Sequence, residues 1–108
     1  MQTLLLSLLL SISSVHAKPT FPENLTGHLK NSPSGNINLY HDLIFVKGGN
    51  KILAKSFTDK HGNFELMFYP DKIKSFNFYC KTNDGKVFFL KTIKQFDSDN
   101  DEITFVIP

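Results

Sequence analysis

Turn-forming clusters punctuate this chain at short intervals, and their spacing leaves no room for a helix of ordinary length. Asn31-Ser32-Pro33-Ser34-Gly35-Asn36, Lys47-Gly48-Gly49-Asn50, Asp59-Lys60-His61-Gly62, Pro70-Asp71-Lys72 and Asn83-Asp84-Gly85 each combine residues that favour positive φ, fix φ, or hydrogen-bond their own backbone. Between them lie short runs with apolar residues at alternate positions, the period of a half-buried strand. Seven strands are expected, over residues 25–29, 37–46, 52–58, 63–69, 76–82, 86–94 and 103–107. Strands this short, with turn signals about every 8–12 residues, predict an all-β fold, a seven-stranded antiparallel sandwich of two sheets.

Parity supplies a core. Leu25, Gly27 and Leu29 share one face, as do Ile37 and Leu39, Phe64, Leu66 and Phe68, then Phe76, Phe78 and Cys80, then Ile103, Phe105 and Ile107. Thr26, His28, Glu65, Met67, Asn77, Tyr79 and Lys81 are expected to face outward. The sixth strand has no parity, because Val87, Phe88, Phe89 and Leu90 are all apolar. Such a strand is either covered on both faces or part of a contact surface. Cys80 has no second cysteine to pair with, so the core must hold without a disulfide. It reads as a small buried hydrophobe, with a disulfide to a second chain as the lesser alternative.

The first seventeen residues are expected to be a cleaved signal peptide. Leu4–Ile12 is apolar apart from Ser7 and Ser11, but shorter than the roughly 20 residues that span a bilayer as a helix. Val15-His16-Ala17 places small residues where a signal peptidase reads them, so the cut is predicted after Ala17. Residues 18–23, with two prolines, are expected to form a flexible leader, and residues 24–108 a single domain. No later run reaches transmembrane length. The expected location is secreted or periplasmic.

Composition narrows the partners. All twelve basic residues are lysine, and the net charge is only +2. Arginine, the residue that grips phosphates and guanine in bidentate fashion, is absent, so nucleic acid is not an expected partner. Tryptophan is absent too, so an aromatic sugar platform would rest on Tyr40, Tyr69 or Tyr79. The eleven phenylalanines fall mostly at alternating positions and read as core.

With these residues in place, the pattern resembles the carboxypeptidase regulatory-like domains. Leu25-Thr26-Gly27-His28-Leu29 is similar to their opening strand, and Ile37-Asn38-Leu39-Tyr40 to their second. Thr58-Asp59-x-x-Gly62-x-Phe64-x-Leu66 resembles their turn motif, and Glu102-Ile103-Thr104-Phe105 their last strand. The resemblance covers residues 24 to 108. It implies a prealbumin-like (transthyretin-like) sandwich, related to immunoglobulin-like ones, in a small exported module without catalytic activity or cofactor. Nematode transthyretin-like proteins share the turn but usually carry two cysteines. Hydroxyisourate hydrolases share the fold, but their site needs arginine and a C-terminal Tyr-Arg-Gly-Ser, and this chain ends Phe105-Val106-Ile107-Pro108.

Candidate sites are few. Asp97, Asp99 and Asp101 place carboxylates at alternate positions, as calcium requires, yet Glu102 stands where an EF-hand loop needs glycine, so a solvated turn is the favoured reading. His28, His41 and His61 lie on separate elements and form no zinc set. Ser56, Thr58, Asp59 and His61 suggest a triad on paper, but turn chemistry explains them better. Asn24-Leu25-Thr26 is a glycosylation sequon if the source is eukaryotic. Met67, Tyr69, Tyr79 and Phe88 are the expected contact surface. The expected function is binding a protein, glycan or envelope component. The alternative is carriage of an apolar ligand within or between sandwiches, and a homo-oligomer is compatible with either.

Overall fold

The computed structural model describes residues 21–33, 35 and 37–108. The expected signal peptide, 1–17, and the first part of the expected leader, 18–20, lie outside the described residues. Seven strands form two packed sheets: β1 (Glu23–Asn31), β2 (Leu43–Gly48), β3 (Lys51–Phe57), β4 (Asn63–Phe68), β5 (Phe76–Lys81), β6 (Val87–Ile93) and β7 (Asn100–Ile107). One sheet has the order β4-β1-β7, the other β3-β2-β5-β6. The fold is the expected β-sandwich. Its pairings are antiparallel with one exception: β1 and β7 run parallel, Leu25 opposite Asp101 and Leu29 opposite Phe105.

The core follows the parity of the sequence. Leu25, Leu29, Phe64, Leu66, Phe68 and Phe105 from one sheet meet Ile44, Val46, Phe76, Phe78 and Cys80 from the other. Phenyl rings fill the space between the sheets. Phe68 packs against Phe76, Phe78 and Phe96, and Phe105 against Phe64 and Phe78. Each fully buried ring contributes roughly 1.5–3 kcal/mol. Gly27 is required here by contact rather than by dihedral: a Cβ on it would lie 2.1 Å from the Phe64 ring on the neighbouring strand.

Three expectations are corrected. The second strand begins at Leu43, not Ile37. Ile37 and Leu39 do pack on the core, but from an irregular segment. Thr58 holds that segment down: its Oγ1 donates to the Leu39 carbonyl (2.6 Å) and accepts from the Asp42 N–H (2.9 Å). The left-handed φ of His41 (64°) turns the chain into β2. Next, Glu23 belongs to β1 rather than to a leader. It pairs with Phe68 and is only 2% exposed. Lastly, the acidic run is not a turn throughout, since Asn100, Asp101 and Glu102 open β7.

The Thr58–Leu66 motif is built as its residues demand. Asp59 Oδ1 accepts the N–H groups of His61 (2.8 Å) and Asn63 (2.9 Å), which holds its carboxyl below the usual range. Gly62 has φ 84° and donates to the Asp59 carbonyl (3.0 Å). Its own carbonyl accepts the Leu29 N–H (2.8 Å), tying the turn to β1.

Cys80 is fully buried, and burial, with the nearby Asp42 carboxylate as a lesser cause, pushes its thiol up to about 12. A thiolate is the reactive species. A disulfide-exchange reagent is therefore expected to label Cys80 on the order of 100-fold slower in the native protein than in denaturant. Equal rates would show that the core opens readily around β5.

Candidate functional site

The outer face of the four-stranded sheet carries an aromatic and basic surface. Register sets it out in three rows across the strands. Lys55, Phe45, Tyr79 and Phe89 lie opposite one another on β3, β2, β5 and β6; Phe57, Leu43, Lys81 and Val87 form a second row. Ile52, Lys47, Asn77 and Thr92 form the third. Bulges at Val46/Lys47 against β3 and at Phe78/Tyr79 against β6 set this register. Phe45 and Tyr79 stack with ring centroids 5.2 Å apart, and Phe89 meets Tyr79 edge-on at 5.6 Å. The Lys47 ammonium sits 5.9 Å from the Tyr79 ring centre. His41 stacks on Phe57 at 5.3 Å and extends the aromatic surface.

These side chains are well exposed for their chemistry. Phe57 is 59% exposed, Val87 56%, Phe89 52% and Ile52 51%. Isolated exposed apolar residues are ordinary, but contiguous ones mark contact surfaces. The electrostatics are one-sided as well. Strands β2, β3, β5 and β6 hold Lys47, Lys51, Lys55, Lys81 and Lys91 and no carboxylate. Strands β1, β4 and β7 hold Glu23, Glu65, Asp101 and Glu102 against a single lysine, Lys30. The small net charge therefore hides a sandwich polarised from one sheet to the other.

The expected contact residues do not share one surface. Tyr79 lies at the centre of the aromatic face. Phe88 is corrected: it is half-buried and packs inward against the core, opposite Cys80, while its neighbour Phe89 points out. Met67 projects from the other sheet, and Tyr69 stands just past the end of its strand. Sequence reasoning misses Phe45 and Phe57 as surface residues, whereas Phe89 falls in the Val87–Leu90 run that it leaves open as a contact surface. Their signal lies in the double-sided apolarity of β6 and in strands free of carboxylates.

The remaining candidates are dispersed. Among the described residues no three acidic, imidazole or thiol side chains are grouped to hold a metal ion. Asp97, Asp99 and Asp101 do not converge. Asp99 contributes its carbonyl to the Asn24 N–H (2.7 Å), and Asp101 faces the buried carboxyl of Glu23. Thr58 is consumed by backbone hydrogen bonds and Asp59 by its turn, so neither serves a nucleophile. His28 Nδ1 is 2.9 Å from Asn63 Oδ1. The outer face of the three-stranded sheet has a polar depression at Thr26, His28, Asn63, Glu102 and Thr104.

Two buried carboxyls stand out. Glu23 Oε2 has no hydrogen-bond partner, and burial, then the adjacent Asp101 and Asp99, push its pKa up to about 8. Asp42 is fully buried with both oxygens unpartnered. Burial raises its pKa, while the Asn83 N–H, approaching without completing a hydrogen bond, pulls it back.

Against known proteins the chain shows little likeness in sequence. No family model matches it, and no curated protein does either. Among solved structures, a 9R-lipoxygenase from Cyanothece PCC8801 superposes over 81% of this chain, with a TM-score of 0.52 and 20% identity. The likeness is one of fold. It involves only 16% of the lipoxygenase chain.

Proposed function

We propose that the protein is an exported, non-catalytic binding module that engages a protein, glycan or envelope component through the outer face of its four-stranded sheet. The observation that carries this reading is the aromatic patch of Phe57, Phe45, Tyr79 and Phe89 across two neighbouring rows among lysines, with Phe57 and Phe89 exposed and Phe45 and Tyr79 half-buried. Exposed rings braced against half-buried ones are anchors prepared for a partner. Export rests on the sequence of residues 1–17. The absence of catalysis rests on how the candidate groups are used: Thr58 and Asp59 hold backbone, and Cys80 is sealed in the core. No observation favours the alternative of an apolar carrier, since phenyl rings occupy the interior such a ligand would need.

Crosslinking in the native envelope or medium tests the reading. A double variant, Phe57→Ser with Phe89→Ser, is expected to lose the crosslinked partner while keeping the β-sheet circular dichroism of the parent. Met67→Ser, on the opposite sheet, is expected to retain it. A folded double variant that recovers the same partners would overturn the assignment of this face.

A further inference from the structure

We infer that the surface recognised by this face is an anionic lipid leaflet, an inference that rests on reading the face as the binding surface. Four features of the face select lipid over other partners.

The first is charge. Each of the three rows across the sheet contains one lysine, Lys55, Lys81 or Lys47, and the four strands contribute no carboxylate. Lysines beside exposed apolar groups lay their stems along the surface and hold their ammoniums at headgroup level. Second, the three rows carry few neutral hydrogen-bonding side chains, Tyr79, Asn77 and Thr92. Thr92 donates to Asn77 Oδ1, which leaves the Tyr79 hydroxyl and the Asn77 amide N–H groups as the neutral polar groups beside the ammoniums. A neutral glycan or a peptide backbone would find few partners, whereas phosphate headgroups need only the cations.

Third, the apolar groups stand outward. Phe57, Phe89, Val87 and Ile52 each expose about half their surface, whereas the polar depression at His28 and Asn63 lies on the opposite sheet. Phe57 also borders a depression at the sheet edge with Thr26, Asn63 and Glu65, but outward groups such as Phe89, Val87 and Ile52 suit a medium that yields around them, such as the boundary between headgroups and acyl chains. Fourth, a second copy docked through the same face is a poor occupant. Two such faces placed together would bring like charges, Lys47, Lys55 and Lys81 of each copy, into one apolar interface. The acidic residues of the opposite sheet add an orienting effect, because Glu65 and Glu102 are repelled by the same leaflet that attracts the lysines.

Vesicle co-sedimentation tests this. The protein used begins at Lys18, which retains every described strand and excludes the apolar Leu4–Ile12 run. It is expected to sediment with vesicles of phosphatidylcholine and phosphatidylglycerol, but not with phosphatidylcholine alone. The binding is expected to weaken as salt rises from about 0.1 to about 0.5 M. Changing Lys47, Lys55 and Lys81 together to Gln is expected to lower partitioning roughly 100-fold, from about 1 kcal/mol per lysine and tenfold per 1.4 kcal/mol. Phe57→Ser with Phe89→Ser is expected to lower it at least about tenfold, and Met67→Ser to leave it unchanged. A protein that stays in solution with phosphatidylglycerol vesicles overturns the lipid inference. If the crosslinked partner still depends on Phe57 and Phe89, the binding module stands with a protein partner instead. Vesicle binding lost in Met67→Ser and kept in the phenylalanine double variant overturns both readings.

Discussion

Gly62→Val is expected to destabilise the domain by about 3 kcal/mol, from two separable causes. The φ of 84° is a left-handed conformation that a β-branched residue adopts at a cost of roughly 1–2 kcal/mol. The second cause is contact. A Cβ on Gly62 would lie 2.5 Å from the Leu29 carbonyl oxygen, which is backbone and cannot turn aside. Relief means moving the turn away from β1 and stretching the hydrogen bond from Leu29 N–H to the Gly62 carbonyl, worth about 1 kcal/mol. Gly85 provides the comparison. Its φ is 91°, but no atom lies within 4 Å of the place a Cβ would take, so Gly85→Val should carry only the dihedral cost. Denaturant midpoints of the two variants, at equal slope, measure the difference. Equal losses would show that the turn relaxes freely and that its junction with β1 is soft.

The second large effect is a dependence on pH centred on Glu23. In the folded chain this carboxyl holds its proton up to about pH 8, against an ordinary value of 4.5. Below about 4.5 it is protonated both folded and unfolded, and its contribution to stability is full. Between about 4.5 and 8 the unfolded chain gives up the proton and the folded chain keeps it, so stability falls as pH rises. Above about 8 the ionised carboxylate must sit buried beside Asp101, with Oε2 unpartnered. Glu23→Gln removes this titration, and its amide supplies a donor to Asp101. The variant is expected to match the parent near pH 4.5 and to exceed it by roughly 1–3 kcal/mol at pH 8.5. Asp42, also raised, keeps a smaller slope of the same sign in both proteins, so the difference between them is the quantity to follow. Melting curves from pH 4.5 to 8.5 decide it. A difference that does not change with pH would mean that water reaches Glu23 and that β1 and β7 part at their first residues.

Sequence is legible where one strand speaks for its own two faces. Phe64, Leu66 and Phe68, with charged or flexible residues between them, declare their side without help from neighbours. So do Phe76, Phe78 and Cys80. The misreadings occur where a distant residue decides. Ile37 and Leu39 alternate like a strand, yet Thr58, some twenty residues away, claims the backbone at Leu39 and Asp42 and prevents a ladder there. Glu23 follows a proline and carries a charge, both signs of an exposed leader. Its burial comes from pairing with Phe68 and from the arrival of β7, which nothing local announces. The apolar run of β6 has no parity because both of its faces are used, Phe88 and Leu90 toward the core and Val87 and Phe89 toward solvent. The candidate face is legible only in pieces, since its rows take one residue from each of four strands and the bulges set their alignment.

The parallel pairing of β1 with β7 gives the fold a temporal constraint. The central strand of the smaller sheet cannot gain its second partner until the last eight residues of the sheet, Asn100–Ile107, are present. A chain emerging amino end first holds β1 with at most one neighbour until β7 has been made. Contacts between segments so far apart in sequence also carry a high loop-closure cost and slow folding. The smaller sheet is thus completed last, and β1 keeps one edge open until β7 arrives.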